Sequence, residues 1–260
     1  MKAVILAGGL GTRISEETSL VPKPMVEIGG LPILFHIMCI YAQHGVQDFI
    51  VCAGFKQHII KDYFYNFHRN HSDITYDLMT GNIEVHCSNS KPWSVTVIDT
   101  GLNTMTGGRL KRVRHLLGAE SFFMTYGDGV ADVDISTSLE LHKKNGTLVT
   151  ATAVKAPGRF GDFCMNGDRV TGFAEKSEGE KHRINGGFFV IDPKALDLIE
   201  NDDTIWEQEP MRHLAKLGEI SAFLHDGFWQ PMDTLRDKRY LDDICKSGNI
   251  PWLSKERITQ

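Results

Sequence analysis

Short runs of consecutive apolar residues alternate with amphipathic stretches along the first half of the chain. Residues 2–6, 48–52, 121–126 and 148–154 read as strands, while 32–44, 56–67, 107–116 and 133–144 carry helical spacing. Strands that are apolar at successive positions, such as Phe49-Ile50-Val51, suit a sheet covered on both faces, and the βαβ order makes it largely parallel. From Asp73 to Thr106 the texture changes to polar–apolar alternation. Ile74, Tyr76 and Leu78 are followed by Ile83 and Val85 across the turn signal Thr80-Gly81-Asn82, which predicts an inserted β-hairpin region over about 73–106. Further strands are predicted over 170–174, 187–191 and 220–224, and helices over 193–200, 207–217 and 234–246, the last opening a C-terminal segment over about 234–260. The expectation is a single α/β domain, 1–260, with a mixed, mostly parallel central sheet flanked by helices.

Composition narrows the function classes. At 260 residues, 42% hydrophobic and 23% charged, the chain can bury a substantial core and is neither disordered nor membrane-spanning in character. Its net charge of −5 comes without a basic stripe, so no nucleic-acid partner is expected. The apolar run from Ala3 to Ala7 is shorter than a secretory signal needs and runs into glycines, so a cytoplasmic location without membrane association is expected. The cysteines Cys39, Cys52, Cys87, Cys164 and Cys245 are odd in number and widely spaced, which suits reduced, buried thiols. His68 and His71 lack paired cysteines or acids and read as a solvated helix end.

Candidate chemistry starts at Ala7-Gly8-Gly9-Leu10-Gly11-Thr12-Arg13, directly behind the first strand and followed by Pro22-Lys23-Pro24. Small residues let backbone N–H groups approach polyanionic oxygens, and Arg13 and Lys23 add charge, so the segment reads as a triphosphate cradle. It is not a dinucleotide fingerprint, since Ile14 stands where the third glycine is required, and Gly11-Thr12-Arg13 does not close a Walker loop. Gly127-Asp128-Gly129 puts a carboxylate at the carboxyl end of a buried strand, where α/β sheets bind ligands; a simple Asp-Gly turn is an equal alternative. Asp233 precedes the last helix, where Asp233 or Thr234 could equally be its cap. Thr106-Gly107-Gly108-Arg109 either caps a helix or faces the nucleotide. Arg159-Phe160-Gly161, Glu175-Lys176 and Asn185-Gly186-Gly187 border strands and could form a sugar-phosphate pocket, although Glu175-Lys176 alone suits a solvated charge pair.

Taken in order, Gly8–Arg13, Pro22-Lys23-Pro24-Met25, Gly127-Asp128-Gly129, Glu175-Lys176 and Asn185-Gly186-Gly187 resemble the sugar-1-phosphate nucleotidylyltransferases. The strings Thr106–Arg112, Arg159-Phe160-Gly161, Trp206-Glu207-Gln208-Glu209-Pro210 and Gly227–Thr234 are similar to those of the members that use CTP and glucose 1-phosphate. The resemblance implies a Rossmann-like nucleotidyltransferase fold and transfer of a cytidylyl group from CTP to α-D-glucose 1-phosphate with Mg²⁺. It also implies a homo-oligomer, trimer or hexamer, serving dideoxysugar synthesis for O-antigen lipopolysaccharide. By the same carry-over, Leu6, Ala7, Gly8, Gly9, Leu10, Gly11, Thr12, Arg13 and Lys23 contact the nucleotide, with Thr104, Thr106, Gly108, Arg109 and Gly127 around it. Tyr126, Arg159, Glu175, Lys176, Asn185 and Gly186 would receive the sugar phosphate, and Asp128 and Asp233 the metal. Arg13 and Lys23 would hold the leaving pyrophosphate, Asp128 the metal, and Lys176 the attacking phosphate. The chain departs from the family pattern at Val21, Asp162 and Ser177. A uridylyl- or thymidylyltransferase and a non-catalytic sugar-nucleotide sensor are the competing expectations.

Overall fold

The computed structural model describes residues 1–11, 14–155, 162–166, 168–174 and 183–253. Its strands in the first half are β1 (Lys2–Ala7), β2 (Glu27–Ile28), β3 (Leu31–Pro32), β4 (Asp48–Ala53), β5 (Ser72–Tyr76), β6 (Ile83–Ser88), β7 (Ser94–Asp99) and β8 (Phe122–Tyr126). Then come β9 (Gly129–Ala131), β10 (Val149–Val154), β11 (Asp162–Asn166), β12 (Arg169–Ala174), β13 (Ile184–Ile191), β14 (Ile220–His225) and β15 (Trp229–Pro231). The helices are α1 (Ser15–Thr18), α2 (Ile33–Gln43), α3 (Gln57–Asn70), α4 (Thr106–Val113), α5 (Ile135–Asn145), α6 (Glu209–Leu217) and α7 (Leu235–Lys246).

Among the described residues, one sheet of nine strands runs in the order β11-β12-β14-β10-β13-β8-β1-β4-β7. The β8-β1-β4-β7 half is parallel throughout, and β13 enters antiparallel between β8 and β10. The apolar run of β1 follows from burial on both faces. Ala3, Ile5 and Ala7 join a core with α2, α3 and α7, whereas Val4 and Leu6 join a second core with α4 and α6.

Local chemistry sets several boundaries. The Asp134 carboxylate accepts the Thr137 N–H at 2.9 Å to start α5, and Gly146, at φ +61°, ends it. The stretch predicted as a helix over 193–200 is a shorter 3₁₀ turn, Pro193–Leu198, with Asp192 capping the Lys194 N–H.

The β-rich excursion is narrower than the alternation predicted. Only β5 and β6 form a separate hairpin, and β7 pairs with β4 as an edge of the main sheet. A half-exposed edge strand alternates just as a hairpin strand does, so the pattern could not separate them. The thiols also differ from expectation: Cys52 is buried, but Cys39 and Cys245 are half-buried and Cys87 lies exposed on β6. The alternating hairpin has no covering layer over that position. No helix among the described residues is long and apolar enough to cross a membrane.

Candidate active site

The site is built at the carboxyl edge of the parallel strands. Because β1 and β8 are parallel neighbours with Leu6 beside Tyr126, the loops that follow them emerge together, and the Gly127 N–H donates to the Leu6 carbonyl at 2.9 Å. Leu6, Ala7, Gly8, Gly9, Gly11, Lys23, Thr104, Thr106, Arg109, Tyr126, Gly127, Asp128 and Asp233 line one cleft of about 400 Å³, with Pro24 and Met105.

The glycine loop is held from below by Arg109. This buried guanidinium donates to the carbonyls of Gly8 at 3.0 Å and Gly101 at 2.8 Å, and to Thr100 Oγ1 at 2.7 Å. Burial pulls its pKa down from the ordinary arginine value. A Cβ on Gly8 would stand 2.0 Å from Arg109 Nη1, so only glycine lets the loop lie on the guanidinium. Gly11 turns the chain at φ +64°, a conformation costly for other residues, with the Thr18 side chain close beneath it.

The two candidate metal acids, far apart in sequence, are joined by a small β-ribbon. After β8 the chain turns through Gly127 and Asp128 into β9, which pairs antiparallel with β15 so that Gly129 lies opposite Pro231. The Met232 N–H then donates to the Asp128 carbonyl at 2.8 Å, bringing Asp233 alongside Asp128. Helix capping does not consume Asp233: Thr234 caps α7 in a reciprocal box with Asp237.

Lys23 lies between these acids. Its Nζ is 2.7 Å from Asp128 Oδ2 and 2.8 Å from Asp233 Oδ1, with 9% of the residue exposed. Pro22 and Pro24 restrict the backbone on either side, in the 3₁₀ turn Lys23–Met25. Burial alone would lower the lysine pKa, but Coulombic attraction and hydrogen bonding to the two carboxylates outweigh it, and the pKa is raised. The pair also suits a divalent cation: both carboxylates already converge on one positive centre. Among the described residues no group of three or more His, Cys, Asp or Glu converges, so water and substrate oxygens would complete the shell, as Mg²⁺ commonly accepts.

Beyond Tyr126 lies a second polar network that the sequence did not single out. The Tyr126 hydroxyl donates to Glu207 Oε1, Thr106 Oγ1 donates to Glu207 Oε2 at 2.7 Å, and Asn185 Nδ2 approaches the Tyr126 hydroxyl at 3.4 Å. Desolvation and the neighbouring Glu207 push the Tyr126 pKa up, keeping the phenol a neutral donor. Glu207 was visible only within the string Trp206–Pro210; nothing local marks it, because its partners come from α4 and β8.

Some predicted residues stand apart from the cleft. Leu10 is exposed and outside its lining. Gly108 packs on Asp202, where a Cβ would meet backbone atoms at 2.5–2.8 Å. Asn185 lines a neighbouring cavity with Glu207, and the Gly186 carbonyl accepts Trp229 Nε1 at 2.7 Å. Thr12, Arg13, Arg159, Glu175 and Lys176 lie outside the described residues.

Known proteins share this arrangement of sequence and fold. The nucleotidyl transferase family model matches residues 2–220. A glucose-1-phosphate cytidylyltransferase of Salmonella typhimurium is 54% identical over 257 residues, covering 98% of this chain and all of that protein. A probable glucose-1-phosphate cytidylyltransferase of Bacillus subtilis is 38% identical over 97% of this chain and 99% of its own length. HddC from Yersinia pseudotuberculosis, solved with GMP-PN, superposes with a TM-score of 0.74 at 23% identity, over 93% of this chain and 98% of its own. A mixed sheet whose parallel strands carry a glycine loop and paired acids at their carboxyl edge is thus accompanied by full-length similarity, and the chain belongs to the nucleotidyl transferase family.

Proposed function

We infer that this chain transfers the cytidylyl group of CTP to α-D-glucose 1-phosphate, giving CDP-glucose and pyrophosphate. The observation that carries this reading is the meeting of the glycine loop, Lys23, Asp128 and Asp233 in one cleft, in a chain 54% identical to a glucose-1-phosphate cytidylyltransferase.

A sugar phosphate oxygen is already an anionic nucleophile, so no side-chain base is needed to create one. That oxygen attacks the α-phosphorus in line; the bond from the α-phosphorus to the bridging oxygen breaks, and pyrophosphate leaves with the electron pair. The chain's task is to bring two polyanions together. Arg109 and the Phe55 N–H bind the Gly8 carbonyl, at 3.0 and 3.3 Å, which engages a carbonyl dipole that would otherwise oppose phosphate oxygens. Lys23 and Arg13 neutralise charge developing on pyrophosphate, and Lys176 orients the attacking phosphate. Arg159, Glu175, Asn185 and Gly186 receive the sugar beside Tyr126. Asp128 and Asp233 would hold Mg²⁺, which would supply positive charge to the reacting phosphates.

The protein would act in the cytoplasm, as a trimer or hexamer, on a route to dideoxysugars of surface polysaccharide. The exposed apolar side chains of the β5–β6 hairpin and its turn, Leu78 and Met79 among them, support self-association. The direct test incubates the protein with glucose 1-phosphate, Mg²⁺ and CTP, UTP, dTTP or ATP separately, following pyrophosphate release and identifying the product. CTP should dominate. Dominance of UTP or dTTP would overturn the nucleotide assignment, and nucleotide binding without turnover would favour the sensor.

A further inference from the structure

Lys23 makes its two shortest contacts with the very carboxylates that suit the metal. Its Nζ sits 2.7 Å from Asp128 Oδ2 and 2.8 Å from Asp233 Oδ1, distances of charge-assisted bonds. A divalent cation on those oxygens and an ammonium on the same oxygens exclude one another. The facing lone pairs are in use, and two positive centres a few ångströms apart repel strongly where little water screens them. One of the two must yield. The backbone of Lys23 is confined by Pro22 and Pro24, but its four-carbon stem can turn. The cleft into which it would turn is lined by Gly8, Gly9 and Gly11, the residues assigned to the nucleotide phosphates.

We propose that Lys23 is the resident counter-cation of the metal position: it bridges Asp128 and Asp233, and it surrenders them to the divalent ion by moving its charge onto the nucleotide phosphates. This rests on the assignment of Asp128 and Asp233 as metal ligands. The bridge keeps two nearby carboxylates from repelling each other before substrate arrives. It also weakens metal binding in the absence of nucleotide, because a displaced ammonium then finds no other anion among the described residues lining the cleft. Metal and nucleotide consequently bind with positive coupling, each favouring the other's entry.

The test measures Mn²⁺ binding to nucleotide-free protein, by the electron paramagnetic resonance signal of free Mn²⁺, for wild type, Lys23→Met and the double variant Lys23→Met with Asp128→Asn. Lys23→Met should bind Mn²⁺ at least tenfold more tightly than wild type, and addition of a non-hydrolysable CTP analogue should tighten it less. A lysine that only stood near the acids would also tighten metal binding when removed, through lost repulsion, so the weaker effect of the analogue on Lys23→Met is what identifies the exchange. Should Lys23→Met fold poorly, the wild type itself carries the test: the ¹⁵Nζ resonance of Lys23, assigned by its loss in Lys23→Arg, should shift as Mg²⁺ and the analogue saturate. Unchanged or weaker Mn²⁺ binding in folded Lys23→Met, or an unmoved Nζ resonance at saturation, overturns the proposal. Tight Mn²⁺ binding that survives the added Asp128→Asn change instead overturns the assignment of the metal ligands.

Discussion

The floor of the cleft and the β5–β6 hairpin both invert the usual distribution of polarity, in opposite senses. In the cleft a lysine only 9% exposed is paired with two half-buried carboxylates, while on the hairpin turn Leu78 and Met79 are 94% and 95% exposed. Enclosing charge is costly unless every group is paired, and exposing apolar surface forfeits burial. The cleft resolves its cost internally, Lys23 against Asp128 and Asp233. The hairpin does not, and this contrast is what supports the proposals of an associating surface at the hairpin and of a site for anions and a cation in the cleft.

The sharpest way to break this contrast is at the acids. Asp128→Asn should lower kcat by about 10²–10³ with the circular dichroism spectrum unchanged; a rate within a fewfold of wild type would detach Asp128 from the chemistry. Next is the support of the glycine loop. Arg109→Met removes the guanidinium from the Gly101 carbonyl and leaves the Gly8 carbonyl with only the Phe55 N–H, and should cost about 3 kcal/mol in urea unfolding, with KM for CTP raised more than KM for the sugar phosphate. Equal rises in both constants would place Arg109 beneath both substrates.

Glu207→Gln removes the charge facing Tyr126 and Thr106 and leaves one acceptor oxygen where two hydroxyls now donate. It should cost about 1 kcal/mol, seen mainly as a raised KM for glucose 1-phosphate. Smaller still is the α5 cap, where Asp134→Ala should destabilise by about 0.5–1 kcal/mol. The hydrogen bond from the Thr137 N–H holds the Asp134 pKa below 3.8. Its contribution is therefore complete above that ordinary value and lost as pH falls through the lower folded one, so wild type and variant should converge in strong acid. On the hairpin, Leu78→Ser with Met79→Ser should leave the stability of the fold within about 0.5 kcal/mol while reducing the mass measured by light scattering. An unchanged mass would mean that the hairpin is not the associating surface.

Much of the fold was legible because the signals are local. Burial of β1 and β4 on both faces requires successive apolar residues, so these strands declared themselves, and the glycines behind β1 marked a close approach. The short β9 and β15 strands did not, at three residues each; their pairing depends on register between segments distant in sequence. The same ribbon decides that Asp233 faces Asp128. The cap ambiguity at Asp233 and Thr234 was likewise settled only by the reciprocal bonds of Thr234 and Asp237. Edge strand β7 was read as part of the excursion because half-exposure has one pattern wherever it occurs.

The layered α/β architecture, the glycine-rich turn behind the first strand and the family to which the chain belongs were all written in the sequence, because periodicity, glycine content and motif strings are properties of neighbouring residues. Folding is what brings Arg109 beneath Gly8 and sets Glu207 between Tyr126 and Thr106. It alone placed Lys23 between the two acids. Those contacts span 101, 81, 101, 105 and 210 residues. Charges so far apart along the chain acquire their energies only when the sheet brings their strand ends to one edge and excludes most of the water between them.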